Sequence, residues 1–90
     1  MSIIVYTESW EGKFRKSTFE AVSYAKKIAE IFQTDVKAIS AGDITEDELK
    51  KLGIYGATNI ESYPKISKSD DKSIAKIIHA QSIDSNFIIF

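Results

Sequence analysis

The residues that could do chemistry in this chain are few. His79 is the only histidine and there is no cysteine. Thiolate zinc sites, disulfide frameworks and cysteine nucleophiles are therefore excluded. A lone histidine late in a helical segment has no second histidine with which to share a metal, and His79 reads as a partly exposed surface residue. Ser9, Ser17 and Ser23 have no histidine at a spacing that suggests a catalytic triad. The acidic pairs Glu46-Asp47 and Asp70-Asp71 stand where helices should begin, so the helix dipole accounts for them better than acid–base catalysis does. Gly12, Gly42, Gly53 and Gly56 never fall into the dinucleotide-binding or P-loop spacing and read as turn residues. What remains is a basic cluster, Lys13, Arg15 and Lys16, beside Trp10 and Phe14. It reads as a solvated loop with packed aromatics, or as an anion or partner contact. No catalytic, cofactor-binding or metal residue is assigned. Trp10, Phe14 and Arg15 are the candidate partner contacts.

The elements that must position this cluster alternate between strand-like and helix-like patterns, the mark of an α/β parallel sheet. The first strand runs from Ile3 to about Glu8, and its unbroken apolar start predicts burial on both faces. Glu11-Gly12-Lys13 predicts a tight turn in a small finger, with Trp10 and Phe14 facing each other across it. Ser17-Thr18-Phe19-Glu20 reads as a capping box that opens the first helix. Phe19, Val22, Ala25, Ile28, Ala29 and Phe32 then form an apolar stripe ending near Thr34.

Asp35 to Ser40 is the second strand, less completely buried than the first because its pattern is mixed. Thr45-Glu46-Asp47-Glu48 opens a short second helix with Gly53 as its stop. The third strand, about Thr58 to Tyr63, precedes Pro64 and belongs at an edge. A third helix from about Asp71 to Gln81 carries Ile74, Ile77 and Ile78 on one face, and Asn86 to Phe90 is a strongly apolar fourth strand. The expected core includes Ile4, Val5, Phe19, Val22, Ile28, Ile77, Ile88 and Ile89.

These burial grades predict strand order 3-2-1-4 in a three-layer α/β/α sandwich, with the first two helices on one face and the third on the other. In such sheets a ligand crevice opens at the carboxyl ends of strands one and four, where the order reverses. The segment 7–16 would be one lip of it.

Within a chain of 90 residues this is one small domain. Hydrophobic residues make up 43% and charged residues 28%, which argues for a folded chain. Lys and Arg number 12 against 13 Asp and Glu, so no basic excess points to nucleic acid or an acidic membrane surface. Met1-Ser2 leads straight into Ile3 with no basic leader and no long apolar run, so the expected location is the cytoplasm, without membrane insertion.

The succession of residues resembles a family. Ile3-Ile4-Val5-Tyr6-Thr7-Glu8, Glu11-Gly12-Lys13, Lys16-Ser17-Thr18-Phe19-Glu20-Ala21, Ala25-Lys26-Lys27-Ile28-Ala29 and the later Tyr55-Gly56-Ala57 are similar, in order and spacing, to the amino terminus of electron transfer flavoprotein alpha subunits. The resemblance covers essentially the whole chain. It implies an adenine-nucleotide-hydrolase-like (Rossmann-like) domain. It further implies a carboxyl-terminal domain that holds FAD, a beta subunit as partner, and transfer of electrons from flavin dehydrogenases to the respiratory chain. The family's flavin-binding residues lie in that second domain, so none is carried over to a position here.

The apolar end Phe87-Ile88-Ile89-Phe90, with no helix after it, reads as an incomplete domain and predicts self-association through uncovered surface. The expected role is structural and subunit-contacting, without catalysis or a flavin of its own. The alternative expectation is a free-standing, universal-stress-protein-like nucleotide-binding domain, which would need a glycine-rich phosphate loop after the fourth strand.

Overall fold

A central sheet whose first strand is fully buried at Ile3, Ile4 and Val5 determines where everything else sits. The computed structural model describes residues 2–67, 69–82 and 85–89, with side chains only as far as Gln81. The strands are β1 Ser2–Tyr6, β2 Ser9–Trp10, β3 Lys13–Phe14, β4 Asp35–Ala41, β5 Asn59–Tyr63 and β6 Ser85–Ile89. The helices are α1 Lys16–Phe32, α2 Glu46–Tyr55 and α3 Asp71–Ser82. The main sheet has the order β5-β4-β1-β6 with every neighbouring pair parallel. This is the expected 3-2-1-4 arrangement, with β2 and β3 forming a separate two-stranded finger.

Ile3, Ile4 and Val5 are fully buried because β1 is covered on both faces. Alternation sends Ile3 and Val5, with Val36 and Ala38 of β4, under Val22, Ala25 and Ala29 of α1 and Leu52 of α2. On the opposite face Tyr6 and Ala41 meet Ile74 and Ile78 of α3. The three layers and the division of the helices follow the sequence expectation.

Several local expectations are corrected. Ser17 does not cap α1: the helix starts at Lys16 behind an extended Arg15, with no side-chain cap bond. The finger delivers Phe14 and Arg15 directly to the helix, so α1 begins as soon as the hairpin ends. Gly53 does not stop α2, since its backbone is helical and the helix continues to Tyr55. Gly56 ends it with φ 128°, a conformation open mainly to glycine. A Cβ at Gly56 would lie 2.7 Å from Lys26 Cβ, so this glycine also permits the end of α2 to touch α1.

β4 is more buried than its mixed pattern suggested, because it lies between β1 and β5 with helices above and below. Ser40 at its carboxyl end is fully buried, and its hydroxyl has no hydrogen-bond partner. In α3 the inward residues are Ile74 and Ile78, one turn apart, while Ile77 is only half-buried. Of the remaining expected core, Ile4, Val5 and Val22 are fully buried, and Phe19 and Ile28 pack half-buried against the first cluster. The side chains of Ile88 and Ile89, and all of Phe90, lie outside the described residues.

Where α3 passes the edge of the sheet its contacts turn polar. Lys37 Nζ donates to Gln81 Oε1 at 2.8 Å, Gln81 Nε2 donates to Glu61 Oε2 at 2.9 Å, and the Tyr63 hydroxyl donates to the same oxygen at 3.1 Å. Lys37 also stands 3.7 Å from Glu61. Asp70 caps the start of α3, accepting from the Ser73 hydroxyl at 2.7 Å and its amide at 3.2 Å.

Candidate functional site

The sheet order reverses at β1, whose neighbours are β4 and β6. The chain leaving β1 builds the lip of the crevice there. Thr7, almost fully buried, prolongs the pairing: its amide and its hydroxyl both donate to the Ile39 carbonyl, at 2.9 and 3.0 Å. The chain then doubles back through the finger, with Ser9 opposite Phe14 and Trp10 opposite Lys13. Glu11 and Gly12 both have positive φ, 51° and 79°, the conformation of the tightest hairpin turn. Glycine adopts it freely; Glu11 does so at a cost that the rest of the finger must offset.

Three contacts hold the finger to the body and a fourth lies within it. The Thr18 hydroxyl donates to the Glu8 carbonyl at 2.9 Å. The Phe14 ring is buried, only 7% exposed, and meets Phe19 edge-on at 6.1 Å. The Phe14 amide donates to Glu48 Oε2 at 2.9 Å, a bond spanning 34 residues of sequence. Finally, the Arg15 guanidinium lies 5.1 Å from the centre of the Trp10 ring, a cation–π pair on the side toward α3.

Glu48 is therefore a hinge pin for the finger. It is 7% exposed, yet charged, because its carboxylate is shared between the Phe14 amide and Lys51 Nζ at 2.8 Å. The Lys51 hydrogen bond, followed by the Phe14 amide, holds its pKa below the ordinary 4.5.

The three candidate contacts are thus separated. Trp10, 55% exposed, and Arg15 stand together on the side of the finger toward α3, whereas Phe14 turns the other way into the α1–α2 core and anchors them. The sequence expectation that Trp10 and Phe14 face each other across the turn is corrected: Trp10 pairs with Lys13, which puts Trp10 and Phe14 on opposite sides of the finger. Glu48 was read only as part of a cap. The Thr45 hydroxyl does accept from the Glu48 amide at 3.3 Å, but the Glu48 side chain reaches across to the finger instead of back to Thr45.

Between the finger, the first turn of α1 and the start of α3 lies a cleft of about 680 Å³. Ile74 and Ile78 line it with apolar surface, and Glu8, Arg15 and Asp71 add charge. Tyr6 at the end of β1 also lines it, and burial, helped by Glu8 and Asp71, pushes its phenol above the ordinary 10.0. Its hydroxyl is accordingly protonated at neutral pH and can donate a hydrogen bond. These described residues can stack, hydrogen-bond and balance charge. Among the described residues no helix is long and apolar enough to cross a membrane.

Compared with known protein families, residues 3–84 match the electron transfer flavoprotein domain. No match was found among curated proteins.

Proposed function

The chain belongs to the electron transfer flavoprotein domain family, and from that premise we propose that it is the amino-terminal α/β domain of an alpha subunit, serving as a structural and subunit-contact module. The alpha assignment is supported by the run of residues from Ile3 to Ala29 and by Tyr55-Gly56-Ala57. In this reading the partner is the beta subunit, the finger carrying Trp10 and Arg15 contacts it, and the assembled protein passes electrons from flavin dehydrogenases to the respiratory chain.

The observation that carries the contact role is the finger itself. A two-stranded projection held at three points and bearing an exposed Trp–Arg pair is a prepaid, rigid surface, and such residues dominate binding energy at interfaces.

This reading assigns no FAD to the end of β1, where the described residues form a short finger and not a glycine-rich dinucleotide turn. The flavin in this proposal belongs to the carboxyl-terminal domain.

The test is co-expression with an electron transfer flavoprotein beta subunit, followed by size-exclusion chromatography. Co-elution that is weakened by Trp10→Ala combined with Arg15→Ala supports the proposal. Failure to co-elute, or co-elution indifferent to both substitutions, refutes the contact role. Saturable micromolar binding of AMP to the chain alone would favour a nucleotide-binding domain instead. Retention of FAD by the chain through gel filtration would overturn the location given to the flavin.

A further inference from the structure

Away from the finger, the outer side of α1 and the end of α2 carry the largest concentration of exposed apolar residues among those described. Tyr24, Ile31, Phe32, Ile54 and Tyr55 are all exposed, Ile31 to 76% and Tyr24 to 61%. Tyr24 and Ile31 are seven residues apart, two turns along one side of α1. None of them is needed for the core, which is built from Val22, Ala25 and Ala29 on the opposite side of the same helix.

The patch contains a depression of about 470 Å³ lined by Lys16, Phe19, Glu20, Ser23, Tyr24, Lys27 and Tyr55. Its aromatic surface is ordered from below: Phe19 and Tyr55 stack with centroids 4.5 Å apart and planes at 21°, and Phe19 in turn rests on Phe14. The Ser23 hydroxyl reaches the Tyr55 carbonyl at 3.5 Å, linking the two helices beside it. Preordered aromatic surface loses little freedom when something binds it.

The charge around the depression has a sign. Two lysines and one glutamate line it. The ion pairs among the described residues are Lys37 with Glu61 and Lys51 with Glu48, so Lys16 and Lys27 are not neutralised by one. Lys26, one residue before Lys27, lies against Gly56 at the end of α2 and adds a third cation to this side. An apolar depression with two lysines against one glutamate complements an apolar side chain flanked by carboxylates.

We propose that the α1–α2 groove is a docking site for a short acidic segment of a partner protein, which inserts a Leu or Phe between Tyr24 and Tyr55 and sets its carboxylates against Lys16 and Lys27. This site is separate from the Trp10–Arg15 finger and does not depend on which subunit the chain belongs to.

The probe is a fluorescein-labelled peptide of about 12 residues, Glu-rich, with Phe and Leu one helical turn apart. Titration against the 90-residue chain is followed by anisotropy, and the contact is mapped by amide shifts on the isotopically labelled chain. The expected result is saturable binding below about 1 mM, with shifts confined to 16–31 and the end of α2. Lys16→Glu with Lys27→Glu should weaken it by about tenfold. Raising salt from about 0.05 M to about 0.5 M should weaken it too, because the surface charges are screened. Since both lysines are exposed, these variants keep the fold, which circular dichroism checks. Absence of saturation, indifference to the charge reversals, or shifts centred on the finger would each overturn the proposal. So would concentration-dependent dimerisation of the chain that Tyr24→Lys abolishes, since the occupant would then be a second copy.

Discussion

Replacing Glu48 tests whether one carboxylate holds the finger to the body. Glu48→Ala leaves the buried Phe14 amide without its acceptor, and a lost bond to a charged group costs about 1.5–3 kcal/mol. Lys51 adds little because it is solvent-exposed. For a domain of this size each kcal/mol lowers the melting temperature by roughly 4–8 °C, so the expected loss is roughly 6–24 °C. Glu48→Gln keeps an oxygen facing the Phe14 amide and should lose about 1 kcal/mol or less. Trp10 is the sole tryptophan, which makes its emission a reporter of the finger alone. In Glu48→Ala that emission should shift to the red at temperatures where far-ultraviolet dichroism is still native.

Acid should act in the same direction. Because the folded-state pKa of Glu48 lies below the ordinary 4.5, its contribution is complete above that value and is lost as pH falls through the lower, folded one. Glu48→Gln should lack that part of the acid dependence. A melting temperature for Glu48→Ala within about 2 °C of the parent, or an unchanged Trp10 emission, would refute the hinge-pin role.

Other outcomes follow from single residues. Gly56→Ala must adopt φ 128° and meet Lys26, so a loss of roughly 2–4 kcal/mol in chemical denaturation is expected; a neutral result would show that the end of α2 can shift away from α1. Ser40→Ala removes a buried hydroxyl with no partner and should stabilise by about 1 kcal/mol, whereas destabilisation would mean that the hydroxyl is satisfied. Arg15→Ala should change Trp10 emission while costing only about 0.5–1 kcal/mol. Above pH 10 the raised Tyr6 pKa means that the unfolded chain deprotonates first, so stability should decline as pH rises from 10.0 toward the folded value. Tyr6→Phe should reduce that alkaline decline.

The sheet was legible in the sequence because burial on both faces leaves a mark in the residues themselves. Ile3-Ile4-Val5 has no polar alternate, and that places β1 in the middle. Pro64 likewise put β5 at an edge, where the structure has it. The role of Glu48 was not legible: a Thr-x-x-Glu pattern predicts a reciprocal cap, and only the folded chain brings an amide from 34 residues away to compete for it. Gly53 and Gly56 look alike in sequence, and the difference lies in which one meets Lys26. The partner contacts depended on the same kind of non-local fact, which separated Phe14 from Trp10 and Arg15.

The sheet also divides the described interior unequally. Among the described residues, the cluster beneath α1 and α2 gathers Ile3, Val5, Val22, Val36 and Leu52, while α3 contributes Ile74, Ile78 and a polar mesh at its far end. Helix α3 should therefore open and reclose while the rest of the chain stays folded. In native-state hydrogen exchange its amides would form a faster group than those of β1, β4 and α1. Because α3 is one wall of the cleft at the end of β1, that opening would admit solvent to Tyr6 from the side, leaving the finger in place.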